Sequence, residues 1–584
     1  MTAHAPTADA AHGHAEHHEL GFLRTYVFST DHKMIGKQFL FLSLFMMIIG
    51  GGLALMMRWQ LAWPETQIPG TRWIPEPLMY DGFMPPEFYN AAVTMHATIM
   101  VFFVVMPLLV GCFGNFLIPL MIGAGDMAFP LLNMLSFWVS VPAGIMMLSS
   151  FMVEGGAAAA GWTSYAPLST VPNYSGVYMG QNFWAMSLIV LGVSSLMGSI
   201  NYITTVINMR APGLTWFRLP LVIWALFITA ILLLLALPVL TAGLAMMLFD
   251  RMAGTAFFLP EGGGEPLLWQ HVFWFFGHPE VYIMILPAMG IASEIMPVFA
   301  RKPIFGYHAM AFSIMAIAFL GWIVWGHHMF QSGMNFTLGT SFMITTMVIA
   351  VPSAIKTFNW LGTIWGGNIR FTVPMLFSLG FVALFVIGGL SGIYMANTPI
   401  DIFIHDTYFI VAHIHYVLFG GSIMAMFGAV TYWFPKMFGR MMNPVLGQIH
   451  FWGTFIFYNL GFFPMHILGI GGHMRRIYNP TQYEFLEPMQ WWNVFITQSI
   501  LIMAAFQLVF VVNFFWSLFA GTKAERNPWK ANTLEWDAPT PPPHGNFLTP
   551  PVVYRGPYEY SSPEVPEDYL PQSRKLAGAT GGAH

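Results

Sequence analysis

The chain has 584 residues, of which 56% are hydrophobic and only 8% are charged. A soluble domain carries about 25% charged residues, so this composition excludes a soluble globular protein and indicates an integral membrane protein. The formal net charge of −4 lacks the basic excess of a nucleic-acid-binding protein, so we expect no nucleic-acid partner.

Histidine, not cysteine, is the metal-ligating residue type that this chain offers in number. Cys112 is the only cysteine, whereas there are 20 histidines. A single thiol excludes disulfides, iron–sulfur clusters and a two-thiolate copper centre within this chain. Five histidines fall in the first 18 residues, in a polar stretch that we expect to be mobile. The predicted organisation is a His-rich tail at 1–28, a membrane domain at 29–521 and a proline-rich surface segment at 522–584.

Apolar runs of about 20 residues or more predict helices that cross a bilayer core of about 30 Å. The sequence contains twelve such runs, so we predict an all-α membrane protein with twelve transmembrane helices. They cover residues 36–58, 90–122, 127–153, 181–208, 216–249, 267–297, 304–328, 339–361, 370–394, 405–434, 446–471 and 489–520.

The basic residues predict how these spans are oriented. An even number of spans places both termini on one side, and the positive-inside rule assigns the Lys- and Arg-rich side to the cytoplasm. Both termini are therefore predicted to be cytoplasmic. The residues on that side are Lys33, Lys37, Arg210, Arg218, Arg301, Lys302, Arg370, Lys436, Arg440, Lys523, Arg526 and Lys530; the exceptions on the other side are Arg58, Arg251, Arg475 and Arg476.

Polar side chains inside apolar spans are costly, so each one points to a function. The second span holds His96 and then Asn115, and Asp126 and Asn133 follow around the start of the third. A lone His96 is more often a packing residue than a ligand. Its role depends on whether another span offers a complementary histidine.

The sixth span carries GHPEVY. His278 and Tyr282 are four residues apart and share one helix face, whereas Glu280 points about 200° away from His278. A mid-membrane carboxyl group can hold a proton at rest and still exchange it. The seventh span ends in GHHMF, and His327 and His328 could join His278 as three neutral imidazoles on one copper ion with an open position.

The eighth span contains PSAIK. Lys356 lies well inside the span, with Ser353 one turn before it. A lysine near a helix end can extend to the membrane surface, which is the alternative to a functional role. Together with Ser293 of the sixth span, Lys356 could line a second polar route from the cytoplasm.

The tenth span opens with HDTYFIVAHIHY, from His405 to Tyr416. His413 and His415 are two residues apart and point about 200° from each other on a helix. One helix can thus offer an imidazole to each of two partners. Either histidine could complement His96, and helical geometry alone does not choose between them.

These motifs, in this order, resemble subunit I of haem–copper terminal oxidases. The resemblance runs from STDHKMIG at Ser29 to the TLEW segment, and Glu280 and Lys356 are typical of the A-type branch. It implies a proton-pumping enzyme of the bacterial plasma membrane that reduces O2 to water. The implied partners are a subunit II with a dinuclear copper A centre, a subunit III, and cytochrome c as electron donor.

The resemblance also implies two haem A groups. His96 and His415 resemble the axial ligands of the low-spin haem a, and His413 resembles the single ligand of the high-spin haem a3. Two histidines leave a haem no free site, so it passes electrons, whereas the haem with one ligand keeps a site for O2. Three arginines resemble haem-binding residues: Arg58 at the formyl group of the low-spin haem, and Arg475 and Arg476 at the propionates.

The remaining roles are implied in the same way. His278, His327 and His328 resemble the ligands of copper B, Tyr282 the tyrosine joined covalently to His278, and Trp274 the tryptophan beside this site. Magnesium at the subunit II interface is implied for His405 and Asp406. One proton route is implied for Asp126, Asn115, Asn133 and Glu280, and another for Ser293, Ser353, Lys356 and Tyr282.

The electron donor is predicted from four further positions. Quinol-using relatives carry polar residues where this chain has Ile49, Leu53, Phe88 and Ala91. None of these four side chains can hydrogen-bond a quinol, which favours cytochrome c and makes a quinol oxidase the alternative. One departure from the family pattern is Glu294, where many members have histidine.

Two other functions fit part of the sequence. Nitric-oxide reductases of the same superfamily lack the counterparts of Tyr282 and Lys356, so these two residues argue against that activity. A twelve-span secondary transporter also fits apolar spans with a mid-membrane glutamate. Haem absorption of the purified protein distinguishes an oxidase from a transporter.

Overall fold

The computed structural model describes residues 21–76 and 78–576, which form helices and loops without a named β-strand. Eleven of the described helices are long and apolar enough to cross a membrane, and Tyr307–Gly321 is a shorter apolar helix of 15 residues. The helices are α1 (His32–Ala62), α2 (Pro86–Ile122), α3 (Pro130–Met152), α4 (Met179–Asn208), α5 (Leu221–Met252), α6 (Pro266–Ala300), α7 (Tyr307–Gly321), α8 (Phe336–Ile364), α9 (Val373–Ala396), α10 (Tyr408–Phe438), α11 (Pro444–Ile470) and α12 (Glu484–Ala520).

Helices α6 and α2 form the centre of the bundle. The most apolar 18-residue stretch of α6 is 100% buried and that of α2 is 94% buried, whereas the value for α8 is 22%. A helix that is apolar all round is buried on all sides or faces lipid on part of its surface. Apolar composition therefore predicts which segments are spans, whereas helix packing determines which spans lie in the centre of the bundle.

Two helices change their winding next to a histidine. In α2, π-helical segments span Ile99–Val105 and Pro107–Cys112, beginning three residues after His96. In α10, a π-helical segment spans Leu418–Ile423, beginning three residues after His415. π-helical turns are rare and occur mostly at functional sites. They mark the same level of the bundle on two facing helices.

The structure corrects two of the predicted spans. Residues 304–328 do not form one helix, because α7 ends at Gly321 and the two adjacent histidines lie in a separate 3₁₀ turn, Trp325–Met329. The tenth span does not begin at His405. Asp406 has a left-handed backbone with φ 54°, and the Thr407 side chain caps α10 by accepting from the Phe409 N–H.

The C-terminal segment lies across the end of the bundle where α1 begins and α12 ends, which we call the terminal end. Apart from a 3₁₀ turn at Leu534–Trp536, its described residues run without regular structure. It buries side chains as well as covering the surface, including Leu534, Glu535, Trp536, Tyr558 and Tyr560. The predicted mobile tail falls largely on residues 1–20, outside the described residues.

Helix α11 packs against the start of α10 through Gly469. A Cβ atom at Gly469 would lie 2.1 Å from the main-chain nitrogen of Phe409, whereas one at Gly51 would meet nothing within 4 Å. Overpacking of this kind costs about 1–3 kcal/mol, and we expect Gly469→Ala to lower the midpoint of thermal unfolding in detergent. Gly51→Ala, also within a helix, is the control and leaves the midpoint unchanged or raises it. Equal midpoints in both variants would contradict this account of the α10–α11 contact.

Candidate functional site

A cavity of about 1560 Å³ lies between the helices of the bundle. Sites for one small ligand are typically about 300–1,000 Å³, so this cavity has room for more than one. The six histidines predicted to bind haem iron or copper line it: His96, His278, His327, His328, His413 and His415. The structure thus brings together residues from α2, α6, α10 and the 3₁₀ turn after α7.

His96 and His415 form a parallel pair. Their ring planes differ by 5° and their centroids are 6.3 Å apart. The Nδ1 of His96 lies 2.8 Å from the Gly50 carbonyl, and the Nδ1 of His415 lies 2.7 Å from the Val411 carbonyl. A carbonyl only accepts, so each Nδ1 carries the proton and each Nε2 is left as a ligand atom. A metal ion bound by both Nε2 atoms at about 2 Å would require a centroid separation of this size.

His413 is held in the same way on the other side of α10. Its Nδ1 lies 2.9 Å from the Gly388 carbonyl and 3.0 Å from the Ser391 hydroxyl. Gly392 leaves room for the ring, because a Cβ there would lie 3.1 Å from the Cε1 of His413. The Nε2 of His413 is therefore the free ligand atom, and α10 offers imidazoles on two faces.

His278, His327 and His328 form a three-imidazole cluster. One potential ligand atom from each of the three side chains lies within 4.8 Å of the other two. Within residues 21–76 and 78–576 this is the one group of three or more His, Cys, Asp or Glu side chains that meets this distance. The Nε2 of His328 is 3.3 Å from the Nδ1 of His278 and 3.0 Å from the Nε2 of His327. Three nitrogen lone pairs converging in this way suit one copper or zinc ion. The Nε2 of His278 is buried without a partner beside the Tyr282 ring, 4.6 Å between centroids.

Neighbouring side chains fix the cluster. Trp274 stacks on His328 with centroids 3.7 Å apart, and its Nε1 donates to the Tyr165 hydroxyl at 2.7 Å. The Thr346 hydroxyl lies 3.1 Å from the Nδ1 of His327. Sequence reasoning missed Tyr165, which lies 109 residues before Trp274, and Thr346, which lies 19 residues after His327, because neither belongs to a motif.

The predicted arginines lie at the end of the bundle opposite the terminal end. Arg58 is buried and donates to the Tyr408 hydroxyl at 3.1 Å and to the Asn493 carbonyl at 3.0 Å. Arg475 forms an ion pair with Asp406 at 2.5 Å. Burial lowers the pKa of Arg476 to about 10, which leaves its guanidinium charged at neutral pH. All three arginines line the cavity.

The predicted magnesium ligands do not form a complete site in this chain. His405 is closer to Asp401, at 3.2 Å, than to Asp406, at 4.0 Å. Burial raises the pKa of Asp406, but Arg475 and His405 outweigh it and lower the pKa below its ordinary value. Asp401, which sequence reasoning missed, also accepts from Gln331 at 3.2 Å. A magnesium site here would need further ligands.

Three residues of the first predicted proton route have buried polar atoms without partners. Both carboxyl oxygens of Glu280, both amide atoms of Asn133 and the Oδ1 of Asn115 have no hydrogen-bond partner. Asp126 is half-buried in the loop between α2 and α3, where its carboxylate accepts from the Met127 N–H at 2.7 Å. Buried polar groups of this kind are normally satisfied by ordered water.

Trp360 contacts two residues of the second predicted route, Ser293 and Lys356. Lys356 is fully buried, its Nζ has no hydrogen-bond partner, and it lies 5.4 Å from the Trp360 ring centroid. The Nε1 of Trp360 donates to the Ser293 hydroxyl at 2.9 Å, so Trp360 lies between Ser293 and Lys356. Ser353, one turn before Lys356, bonds the Ile349 carbonyl at 3.1 Å. Glu294 accepts from the Tyr558 hydroxyl at 2.7 Å.

Fold and cavity together define a multi-span membrane protein with an internal site lined by histidines. A sequence profile of the family "Cytochrome C and Quinol oxidase polypeptide I" matches residues 34–503. A "Cytochrome c oxidase subunit 1" of Synechocystis sp. is 49% identical over 95% of this chain and 96% of the relative. A protein of the same name from Thermostichus vulcanus is 45% identical over 92% of both chains.

The structural comparison agrees on the fold. A solved haem–copper terminal oxidase dimer superimposes with a TM-score of 0.69, at 18% identity, over 85% of each chain. The chain belongs to the cytochrome c and quinol oxidase polypeptide I family. It is a catalytic subunit I of the haem–copper oxidases, a multi-pass protein of a bacterial inner membrane, and the family implies haem and copper as cofactors. The predicted family is confirmed, and the transporter alternative is not favoured.

The Thr346 contact predicts an effect on copper content. Removing a hydrogen bond behind a metal-binding histidine typically costs 10- to 100-fold in affinity. We expect Thr346→Val to lose copper at a 10- to 100-fold lower chelator concentration than the parent, because the His327 ring loses its anchor. Metal analysis after dialysis measures this. Thr340→Val, on the same helix but bonded only to the Phe336 carbonyl, is the control, and equal copper loss in both variants would contradict the assignment.

Proposed function

We propose that this chain reduces O2 to water with electrons from cytochrome c and pumps protons while doing so. The observation that carries the proposal is the cavity in which a parallel histidine pair, a third free imidazole and a three-imidazole cluster meet. Two sites for haem iron and one for copper are what O2 reduction by a haem–copper enzyme requires. The 45–49% identical relatives support cytochrome c as the donor.

We propose His96 and His415 as ligands of the low-spin haem, His413 as the ligand of the high-spin haem, and His278, His327 and His328 as ligands of copper B. Bound haem and copper supply electron transfer and O2 binding. The protein residues orient the rings, since each haem-side Nδ1 is held by a main-chain carbonyl and each Nε2 faces the cavity. Arg58, placed at the cavity wall with three of its nitrogens bonded, fits the formyl group of haem A.

Tyr282 is proposed as the proton and electron donor to O2. Its ring lies beside the unpartnered Nε2 of His278, which supports a covalent bond between the two side chains. Trp274 stacks on His328 and keeps that imidazole from rotating. Tyr282 therefore acts from a fixed position one helical turn from a copper ligand.

Protons reach this site by two proposed routes from the cytoplasm, which the positive-inside rule places at the terminal end. Asp126 begins the first route, Asn115 and Asn133 line it, and Glu280 ends it. Their unpartnered atoms suit a chain of water molecules. Ser293, Trp360, Ser353 and Lys356 form the second route and lead towards Tyr282.

Partner subunits complete the proposal. Because this chain has one cysteine, the dinuclear copper centre that receives electrons belongs to a subunit II, and a subunit III is a further partner. His405 and Asp406 form an incomplete metal-binding site on the side where subunit II is expected. We propose that subunit II supplies the missing ligands to magnesium there.

Donor choice tests the proposed function directly. Ile49, Leu53, Phe88 and Ala91 have apolar side chains, and none of them can hydrogen-bond a quinol head. We expect the purified enzyme with its partner subunits to consume O2 with reduced cytochrome c and not with ubiquinol. Oxygen-electrode turnover with each donor decides this, and turnover with quinol alone would overturn the choice of donor.

Glu280→Gln tests the first route. The amide keeps the volume of the carboxyl group but cannot exchange a proton, so we expect both haems to remain and O2 turnover and pumping to fall at least tenfold. A visible spectrum and an oxygen electrode measure the two quantities. Glu261→Gln, at an exposed glutamate before α6, is the control and keeps turnover. Unchanged O2 consumption in Glu280→Gln would count against its role.

Lys356→Met tests the second route. Methionine fills the same space without a protonatable nitrogen, so charge entering the high-spin site is no longer balanced by a proton. We expect anaerobic reduction of the high-spin haem to slow at least tenfold, while the low-spin haem is reduced at the normal rate. Stopped-flow absorbance follows both. Lys523→Met, at an exposed lysine, is the control, and normal reduction of both haems in Lys356→Met would refute the role.

A further inference from the structure

A polar cluster that no motif predicted joins the first residue of α1 to the C-terminal segment at the terminal end. His32 and Asn546 are both fully buried. The Nδ1 of His32 lies 2.7 Å from the main-chain oxygen of Asn115, and its Nε2 lies 3.0 Å from the Oδ1 of Asn546. Asn115 lines the proposed route from Asp126, so this cluster borders the mouth of that route.

The orientation of the Asn546 amide is determined by its other two contacts. Lys33 only donates hydrogen bonds, and its Nζ lies 2.8 Å from the Oδ1. The Ala124 main-chain oxygen only accepts, and it lies 2.8 Å from the Nδ2. Rotating the amide by 180° would place donor against donor and acceptor against acceptor. The atom facing His32 is therefore the amide oxygen.

Both ring nitrogens of His32 thus face oxygen atoms that can only accept. A neutral imidazole has one N–H and can satisfy one of them, which leaves a nitrogen lone pair against an oxygen in a buried site. Reversing the ring would place carbon atoms against both oxygens. The imidazolium form alone donates to both.

The charged groups around His32 balance this charge. Asp31 and Asp126 attract it and Lys33 repels it, while Asp31 is paired with Lys33 at 2.9 Å and faces the exposed His544 at 3.4 Å. Burial opposes any charge on His32, and the two charge-assisted hydrogen bonds offset that cost. Burial holds the pKa of the Asp126 carboxyl group above its ordinary value, and the nearby His32 lowers it in part.

We propose that His32 is held as an imidazolium by Asn115 and Asn546, and that its charge keeps Asp126 ionised and able to accept a proton from the aqueous side. Asn546 is the positioning residue, since its amide oxygen gives the second acceptor. The inference rests on the proposed proton route, because Asp126 is assigned to that route. The charge on His32 is nevertheless measurable without turnover.

Solid-state ¹⁵N NMR of the complete enzyme, labelled at histidine, tests the charge. The His32 signals are those absent from the His32→Gln variant. At pH 7 we expect both ring nitrogens to show the shift of a protonated nitrogen. One signal at the position of a non-protonated nitrogen would overturn the inference, even if the enzyme reduces O2 normally.

Infrared titration of Asp126 tests the consequence. The Asp126 band is identified by its loss in Asp126→Asn. Asn546→Gly removes the amide at a position with φ 68°, where glycine adds no backbone strain. We expect the Asp126 carboxyl group to titrate about one pH unit higher in this variant, since an opposite charge nearby is typically responsible for shifts of that size.

Asn532→Gly is the matched control, because Asn532 is equally buried in the same segment but bonds the Leu570 N–H instead of His32. In this control variant the Asp126 carboxyl group should titrate at the same pH as in the parent. Equal titration in parent and Asn546→Gly would overturn the role of Asn546. A failure of the proposed oxidase function would instead appear as absent haem absorption or absent O2 uptake in the parent.

Discussion

The hydrogen bond from a histidine Nδ1 to a main-chain carbonyl is the interaction on which the site depends. His96, His413 and His415 each make it, to Gly50, Gly388 and Val411 respectively. It fixes the tautomer, turns each Nε2 towards the cavity and prevents the ring from rotating. Because helix carbonyls are themselves fixed, the ligand atoms are placed by the backbone of the bundle.

Membrane burial gives that constraint its strength. The most apolar stretches of the two central helices are 94–100% buried, and a polar group without a hydrogen-bond partner is costly there. The hydrogen bond from a histidine Nδ1 to a carbonyl is therefore strongly favoured. The same cost makes the exceptions informative. Glu280, Asn133 and Lys356 are buried without partners, and each lies where the proposed function requires water and mobile protons.

Much of the fold and site could be predicted from the sequence because hydrophobic length and motif spacing are local properties. The 3.6-residue helical period placed His413 and His415 on opposite faces, and the structure shows each with its own carbonyl partner. The prediction of the seventh span was wrong because apolar composition does not show where a helix ends. Helix α7 ends at Gly321, before the paired histidines. Tyr165 and Asn546 could not be predicted, since each acts through a contact between distant parts of the chain. Thr346 and Asp401 lie closer in sequence to the histidines that they contact, but neither belongs to a motif.

The C-terminal segment also affects how the protein is made. A chain emerges from its N-terminus, so Glu535, Asn546 and Tyr558 are synthesised after all the described helices. Until they arrive, His32 and Glu294 lack their partners at the terminal end. These polar contacts at the terminal end therefore form last during biogenesis, and a chain that stalls before this segment leaves His32 and Glu294 without the partners that the segment supplies.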